Sequence, residues 1–311
     1  MALDMLAANV NSMNGIIVID KPAGPTSAEI VRQIKARLPR HRRVGHLGTL
    51  DPFATGVLPI LIGEGTKLAA FIEENKREYA GLIRLGSETD TLDYTGRICR
   101  TAPVPSLDSL RLGQIAARFT GMVEQTPPIF SAIKRRGVPL YKLARRDPQI
   151  EPPMARKVEI QRLDLQAASS DSIRFTVFCS SGMYVRSLAR DLGIALGTAA
   201  HLCELRRNRT GGFSIADAHR FYEVVGAMDR GEAPGLIDMR AALARLPEAV
   251  VDPVLERRIR QGDSRALDHI GPEGGGLFKV ISHGELIAIA RSALRETAVI
   301  MRVFRAEEES C

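Results

Sequence analysis

An aspartate framed by glycines stands out first: Asp51, in the stretch VGHLGTLDPFATGVLP (44–59). Gly45, Gly48 and Gly56 allow close backbone approach, and Pro52 fixes the turn after the carboxylate. An aspartate before proline commonly bonds its own backbone in a turn. A loop carboxylate at a sheet edge beside basic residues has another use, as nucleophile or base toward a polyanion. Basic residues are concentrated nearby. Residues 31–46 hold Arg32, Lys35, Arg37, Arg40, Arg42 and Arg43 with no acid. Residues 131–157 hold Lys134, Arg135, Arg136, Lys142, Arg145, Arg146, Arg156 and Lys157 against Asp147 and Glu151. Each segment carries +6, so a chain of net charge +7 is −5 elsewhere. Such local excess suits phosphate contact, and it equally describes two solvated loops.

Other chemistries find little support. Cys99, Cys179, Cys203 and Cys311 form no C-x-x-C pair and read as reduced thiols. His201 and Cys203 lack a partner pair at zinc-ligand spacing, and there is no H-E-x-x-H. No phosphate-binding P-loop or dinucleotide fingerprint occurs. Neither a metal nor a cofactor is expected. The 311 residues are 45% apolar and 25% charged, the make-up of a globular chain with a sizeable core. No apolar run reaches the roughly 18 residues of a membrane span, and MALDMLAANVNSMNG has no basic residue of the kind a signal or transit peptide carries. The expected location is cytoplasmic.

The elements that must position Asp51 follow from periodicity. GIIVIDK (15–21) and residues 57–62 read as buried strands. Between them, Thr26 to Glu29 is a capping box opening a helix through Ile30, Val31, Ile34 and Leu38. KLAAFIEEN (67–75) reads as a short helix. Residues 78–85 alternate, with Tyr79, Gly81, Ile83 and Leu85 on one face. Helices are expected over 106–119 and 183–196, and antiparallel strands over 157–165 and 172–179. The mixture lacks regular βαβ alternation, which predicts an α+β fold with a mixed, largely antiparallel sheet and flanking helices. A boundary is expected between 231 and 253, followed by short strands with Gly-rich turns that suit a small β-barrel. The division adopted is 1–245 and 246–311.

GHLGTLDPFATGVLP resembles the catalytic motif of the TruB family of tRNA pseudouridine synthases; sister families show a shorter R-L-D-x-x-T-S-G form. IDKPAGPTS (19–27), REYAGLIRLGSETDTLDYTG (77–96), QTPPIFSAIKRRGVPLYKLAR (125–145), SSGMYVRSLARDLG (180–193) and HLCELRRNRTGGF (201–213) resemble further motifs of that family, in the same order. The C-terminal part resembles its PUA barrel. The resemblance implies the pseudouridine synthase fold and isomerisation of uridine 55 in the T-arm of tRNA. The C1′–N1 bond is cut, the base rotates, and C1′ rejoins at C5. Nothing is oxidised and no group leaves.

Matched residue by residue, Asp51 is the catalytic carboxylate and Arg186 its arginine partner. A guanidinium at hydrogen-bonding distance favours the charged carboxylate and fixes its orientation. Tyr79 matches the aromatic that stacks on the target base and is the candidate base for the C5 proton. Tyr184 and Leu205 match pocket residues; for Leu205, plain helix core is an equal reading. His46 matches a histidine that helps extrude the nucleotide, which costs about a few kcal/mol of stacking. Lys21, beside Asp20, is read as supporting the catalytic loop and contacting RNA. Asp93 matches an acidic position without an assigned role. Lys134, Arg135, Arg136 and Arg145 belong to a basic insertion (about 125–157) expected to fold over the T-arm; its prolines, Pro148 among them, disfavour helix. Leu47, Phe53 and Met183 depart from the pattern and put local packing near RNA in question. The implied partner is tRNA, with no membrane and no obligatory protein partner or guide RNA. Two other readings stand beside this one. One is a non-catalytic RNA-binding or RNA-chaperone protein; the other is the archaeal and eukaryotic relative that works with guide RNA.

Overall fold

The computed structural model describes residues 12–72, 76–147, 150–292 and 298–305. Cys311, Pro148, residues 1–11 of the N-terminal stretch and residues 73–75 of the expected short helix lie outside the described residues. Strand β1 (Gly15–Lys21) leads to α1 (Ser27–Lys35), then β2 (Thr55–Ile62) and β3 (Arg77–Leu85). Helix α2 (Ser109–Arg118) and β4 (Gly121–Gln125) follow, then the long hairpin β5 (Arg156–Ser169) and β6 (Ser172–Cys179). Helix α3 (Val185–Leu196), β7 (Ala200–Thr210) and α4 (Phe221–Asp229) complete the main body. Helix α5 (Pro253–Arg260) and strands β8 (Gly276–Ser282), β9 (Glu285–Ser292) and β10 (Val299–Val303) form the C-terminal part.

The main sheet has 11 strands, with β1-β2-β7-β3-β6-β5-β4 along its path. Its pairings are antiparallel except where β7 meets β2 and where β1 meets His219–Arg220. The expected mixed, largely antiparallel sheet with flanking helices is present. Segment 63–70 departs from the expected helix over 67–75. It is a 3-10 helix starting at Gly63, and Gly65 packs so closely on Gly15 that an added Cβ would lie 2.3 Å from the Gly15 carbonyl oxygen.

The continuous apolar run of β1 is explained by cover on both faces. Ile17 and Ile19 enter one core cluster with Ile30 and Ile34 of α1, Leu50, and Leu188 and Leu192 of α3. Ile16 and Val18 enter a second cluster with Leu47, Val57 and Leu61 on one side and Ile281, Leu286, Ile289 and Phe304 on the other. Alternation at period two therefore divides β1 between two cores. The C-terminal part is a four-stranded sheet, Glu248–Val250 beside β8, β9 and β10, and it closes the back of β1 and β2. Glu248 is gripped by Arg240 at 2.7 Å and by the buried Lys279 at 2.8 Å, which hold its carboxyl down at about 2. Among the described residues no helix is long and apolar enough to cross a membrane.

Candidate active site

Two buried cations hold the loop that carries Asp51. Lys21, at the end of β1, is 0% exposed, and its Nζ donates to the carbonyls of Pro22 (2.9 Å), Pro52 (3.0 Å) and Ala54 (2.7 Å). Arg207 of β7 is equally buried; its Nε donates to Val57 O at 2.8 Å and its Nη2 to Gly48 O at 2.9 Å. Gly56 makes this possible. Its φ is +102°, and an added Cβ would lie 2.2 Å from the Arg207 carbonyl oxygen, so only glycine admits the parallel contact of β2 with β7. From the other side, Leu50 N donates to Ser27 Oγ (2.9 Å) at the start of α1, and Gly24 N donates to Pro52 O (2.9 Å). The capping box at Thr26 and Glu29 sets that helix start. Burial pushes the Lys21 ammonium down to about 8; nearby Asp51 acts to raise it and Arg207 to lower it.

Asp51 itself meets Arg186, the second residue of α3. Nε and Nη2 of Arg186 donate to Oδ2 and Oδ1 of Asp51, each at 2.9 Å, a bidentate pair. The same guanidinium donates from Nη1 to Thr91 O and from Nη2 to Phe130 O, both at 3.0 Å. Asp93 Oδ2 stands 3.6 Å from Nη1. The Arg186 side chain is only 6% exposed, whereas that of Asp51 is 31% exposed. The arginine is enclosed, and the carboxylate reaches solvent. Asp93 is held in turn by Thr91 Oγ1 (2.9 Å), Thr95 N (3.0 Å) and the Thr95 hydroxyl. The enclosed guanidinium thus donates four hydrogen bonds and has a second carboxylate beside it, the compensation that a charge taken out of water requires.

Tyr79 lies on β3 and is buried at 5% exposure. Its register partner on β7 is Arg207, which also pairs with Gly56, so Tyr79 occupies the same row of the sheet as the end of the Asp51 loop. Leu205 is a strand residue of β7, not a helix residue, and packs in one core with Tyr79, Leu50 and Met183. Tyr184 precedes α3. Its backbone exchanges hydrogen bonds with the Gln125 side chain (2.8 and 3.1 Å), and the Arg156 guanidinium lies 4.8 Å from its ring centre. Tyr184 thus ties both stems of the basic insertion to α3. His46 is half-buried, with Nδ1 unbonded in the interior; burial and then Arg207 lower its pKa, which favours a neutral ring.

Lys21 supports the loop, as one half of its reading expected. The other half is corrected: an ammonium fully enclosed by three carbonyls has no donor left for RNA. Leu47 is buried in the cluster shared with the C-terminal sheet and Met183 in the main core. The insertion is a small hairpin (134–135 with 138–139) followed by a short helix, Leu140–Ala144. Arg136 and Gly137 at its tip have φ of 51° and 81°, the two-residue primed turn of a hairpin. Lys134, Arg136 and Arg145 are exposed, and Arg135 donates to Glu151 O at 3.1 Å. A cavity of about 540 Å³ separates the insertion from the turn after β3, lined by Leu92, Phe130, Arg145 and Arg190 among others.

Arg207 and Ser27 are the residues that sequence reasoning missed. The only signal for either was its place inside a quoted motif. Among the described residues no group of three or more His, Cys, Asp or Glu side chains is placed to hold a metal ion.

The chain is similar to known proteins over most of its length. Residues 35–185 match the model of the TruB family pseudouridylate synthase N-terminal domain, and residues 186–247 that of the tRNA pseudouridylate synthase B C-terminal domain. A tRNA pseudouridine synthase B of Geotalea uraniireducens is 40% identical over 276 residues, covering 88% of this chain and 86% of that protein. One of Francisella tularensis subsp. novicida is 42% identical over 280 residues, covering 90% and 91%. The fold is similar to a chain in a crystal structure of a Cbf5-Nop10-Gar1 complex, with a TM-score of 0.67 at 22% identity over 96% of this chain and 85% of that one. The chain belongs to the TruB family of pseudouridylate synthases.

Proposed function

We propose that this chain is a tRNA pseudouridine synthase that isomerises uridine 55 in the T-arm. The observation that carries the reading is the bidentate Arg186–Asp51 pair, with an enclosed arginine and an open carboxylate, in a chain of this family. The uridine is drawn out of its loop and the neutral His46 ring fills part of the vacated stack. Tyr79 stacks on the base. Asp51 acts on the nucleoside as the C1′–N1 bond breaks; the uracil turns in place and C1′ bonds to C5. The C5 proton leaves to Tyr79 and N1 gains one, so the atoms balance without an external reactant. Arg186 acts by holding the carboxylate in one orientation, and Asp93 by holding Arg186. Leu205 and Tyr184 belong to the walls and stems of this pocket. Lys134, Arg135, Arg136 and Arg145 grip phosphates through charge and shape. The C-terminal residues 246–311 are read as a PUA-type RNA-binding module on a catalytic unit of residues 1–245. The protein works in the cytoplasm without a guide RNA or protein partner.

The test is incubation of the purified chain with an unmodified tRNA transcript, no guide or partner added, followed by site-specific detection of pseudouridine. Conversion at position 55 is expected. Asp51→Asn is expected to bind the transcript nearly as well and to give no product. A variant that still forms pseudouridine overturns the role of Asp51; absence of product with the wild type overturns the function.

A further inference from the structure

Two aromatic rings at the edge of the site are left unused by the chemistry above. Phe53 follows Asp51 by two residues and Tyr94 follows Asp93 by one. Their ring centres lie 5.5 Å apart at an interplanar angle of 81°, edge to face. Asp93 and Tyr94 diverge. The carboxylate is buried against Arg186, while the Tyr94 backbone is fixed by its N–H to Leu202 O (2.9 Å) and its side chain is directed outward, 54% exposed. Phe53 packs partly against the main core and so gives the outer ring a fixed backing. The chain has 15 Phe and Tyr and no Trp, and few of these are exposed. An exposed tyrosine buttressed by a second ring, one residue from the buried carboxylate beside Arg186, is a surface that none of the described residues covers.

We propose that Phe53 and Tyr94 form a stacking shelf for the base of a nucleotide adjoining the target uridine in the RNA loop. The inference rests on the function proposed above. Extruding one nucleotide unstacks its neighbours, and an unstacked base needs a new apolar face. A tyrosine ring offers that face at little cost in side-chain entropy, since only two torsions define it, and Phe53 packs against its ring. Stacking is tolerant of base identity, so the shelf would add affinity and position the loop without reading its sequence. Its neighbours suit an anionic strand, because Arg97 projects from the same turn at 95% side-chain exposure. Asp90, its partner at 3.7 Å, is the carboxylate that a passing phosphate would displace.

The test combines protein and RNA changes. Affinity and single-turnover rate are measured for the wild type, Tyr94→Ala, Tyr94→Leu and Tyr94→Phe. The RNAs are intact tRNA and two versions with an abasic nucleotide immediately before or after the target. On intact tRNA, Tyr94→Ala and Tyr94→Leu are expected to weaken binding about ten- to a hundredfold, and Tyr94→Phe to match the wild type. On one of the two abasic RNAs the wild type and Tyr94→Ala should bind equally, because the stacking partner is already gone. A merely structural role for Tyr94 would give the same loss on all three RNAs. Additive losses on both abasic RNAs, or wild-type binding by Tyr94→Ala, overturn the shelf while the wild type remains active. A wild type that leaves intact tRNA unmodified overturns the function and the shelf with it.

Discussion

The loop that carries Asp51 and the basic insertion both depend on cations, and they are built in opposite ways. In the loop, Lys21 and Arg207 are fully buried and direct their donors to backbone carbonyls of the chain itself. In the insertion, Lys134, Arg136 and Arg145 are exposed on a two-strand hairpin and just past the end of a five-residue helix. A buried cation bound to carbonyls fixes a backbone to a few tenths of an ångström, which is what a reacting carboxylate needs. An exposed cation on a small hairpin adjusts to a phosphate wherever it lies. The contrast separates accuracy from grip. The two regions meet at Arg186, which bonds Asp51 of the loop and Phe130 O of the insertion.

The contrast is tested most severely at Arg207. Arg207→Met leaves the carbonyls of Gly48 and Val57 buried without donors, each worth about 1–3 kcal/mol. A fall of about 3 kcal/mol or more in urea-unfolding stability is expected, together with loss of turnover. A variant with the wild-type unfolding midpoint would show that the loop does not depend on its buried cations. The opposite behaviour is expected of the insertion. Changing Lys134, Arg135 and Arg136 together to Ala should weaken tRNA binding and flatten its salt dependence, by about one unit of slope for each phosphate that is no longer neutralised. Stability should shift by less than about 0.5 kcal/mol per exposed site. An unchanged slope would mean that the hairpin does not touch phosphates.

A further test is the effect of pH on Lys21. Its folded pKa is near 8, below the ordinary 10.5, so between those values the unfolded chain binds more protons than the folded one. Stability contributed by this group therefore rises with pH across that window. Comparing unfolding midpoints of the wild type and Lys21→Met across the interval from about 8 to 10.5 isolates it. A difference that stays flat, or that falls, contradicts a desolvated ammonium.

The legible parts of the molecule are those whose cause is local. The capping box at Thr26 and Glu29 and the alternation in β3 and β6 are set by residues a few positions apart, and each appears where expected. Asp51 and Arg186 were paired through motifs that resemble a known family, although they are 135 residues apart. Arg207 was not legible, because its partners Gly48 and Val57 reach it only through the parallel contact of β7 with β2. Nothing in the local sequence announces that contact except Gly56. Lys21 was half legible for a similar reason. A lysine ending an apolar strand reads as the point where the chain emerges into water, and here the loop folds over it. The shared core behind β1 was hidden too. The run of apolar residues showed that both faces are covered but not that the C-terminal sheet supplies one of the covers.

That second core has a bearing on the order in which the protein is made. Phe304 packs in the same cluster as Val57 and Leu61, on the strand that leads out of the Asp51 loop. During synthesis this strand emerges early, with its back still wet and apolar. It gains full cover only when translation has run on through the last described strand. The back of that strand is thereby sealed by residues made long after it, and until then the nascent chain carries an uncovered apolar sheet face.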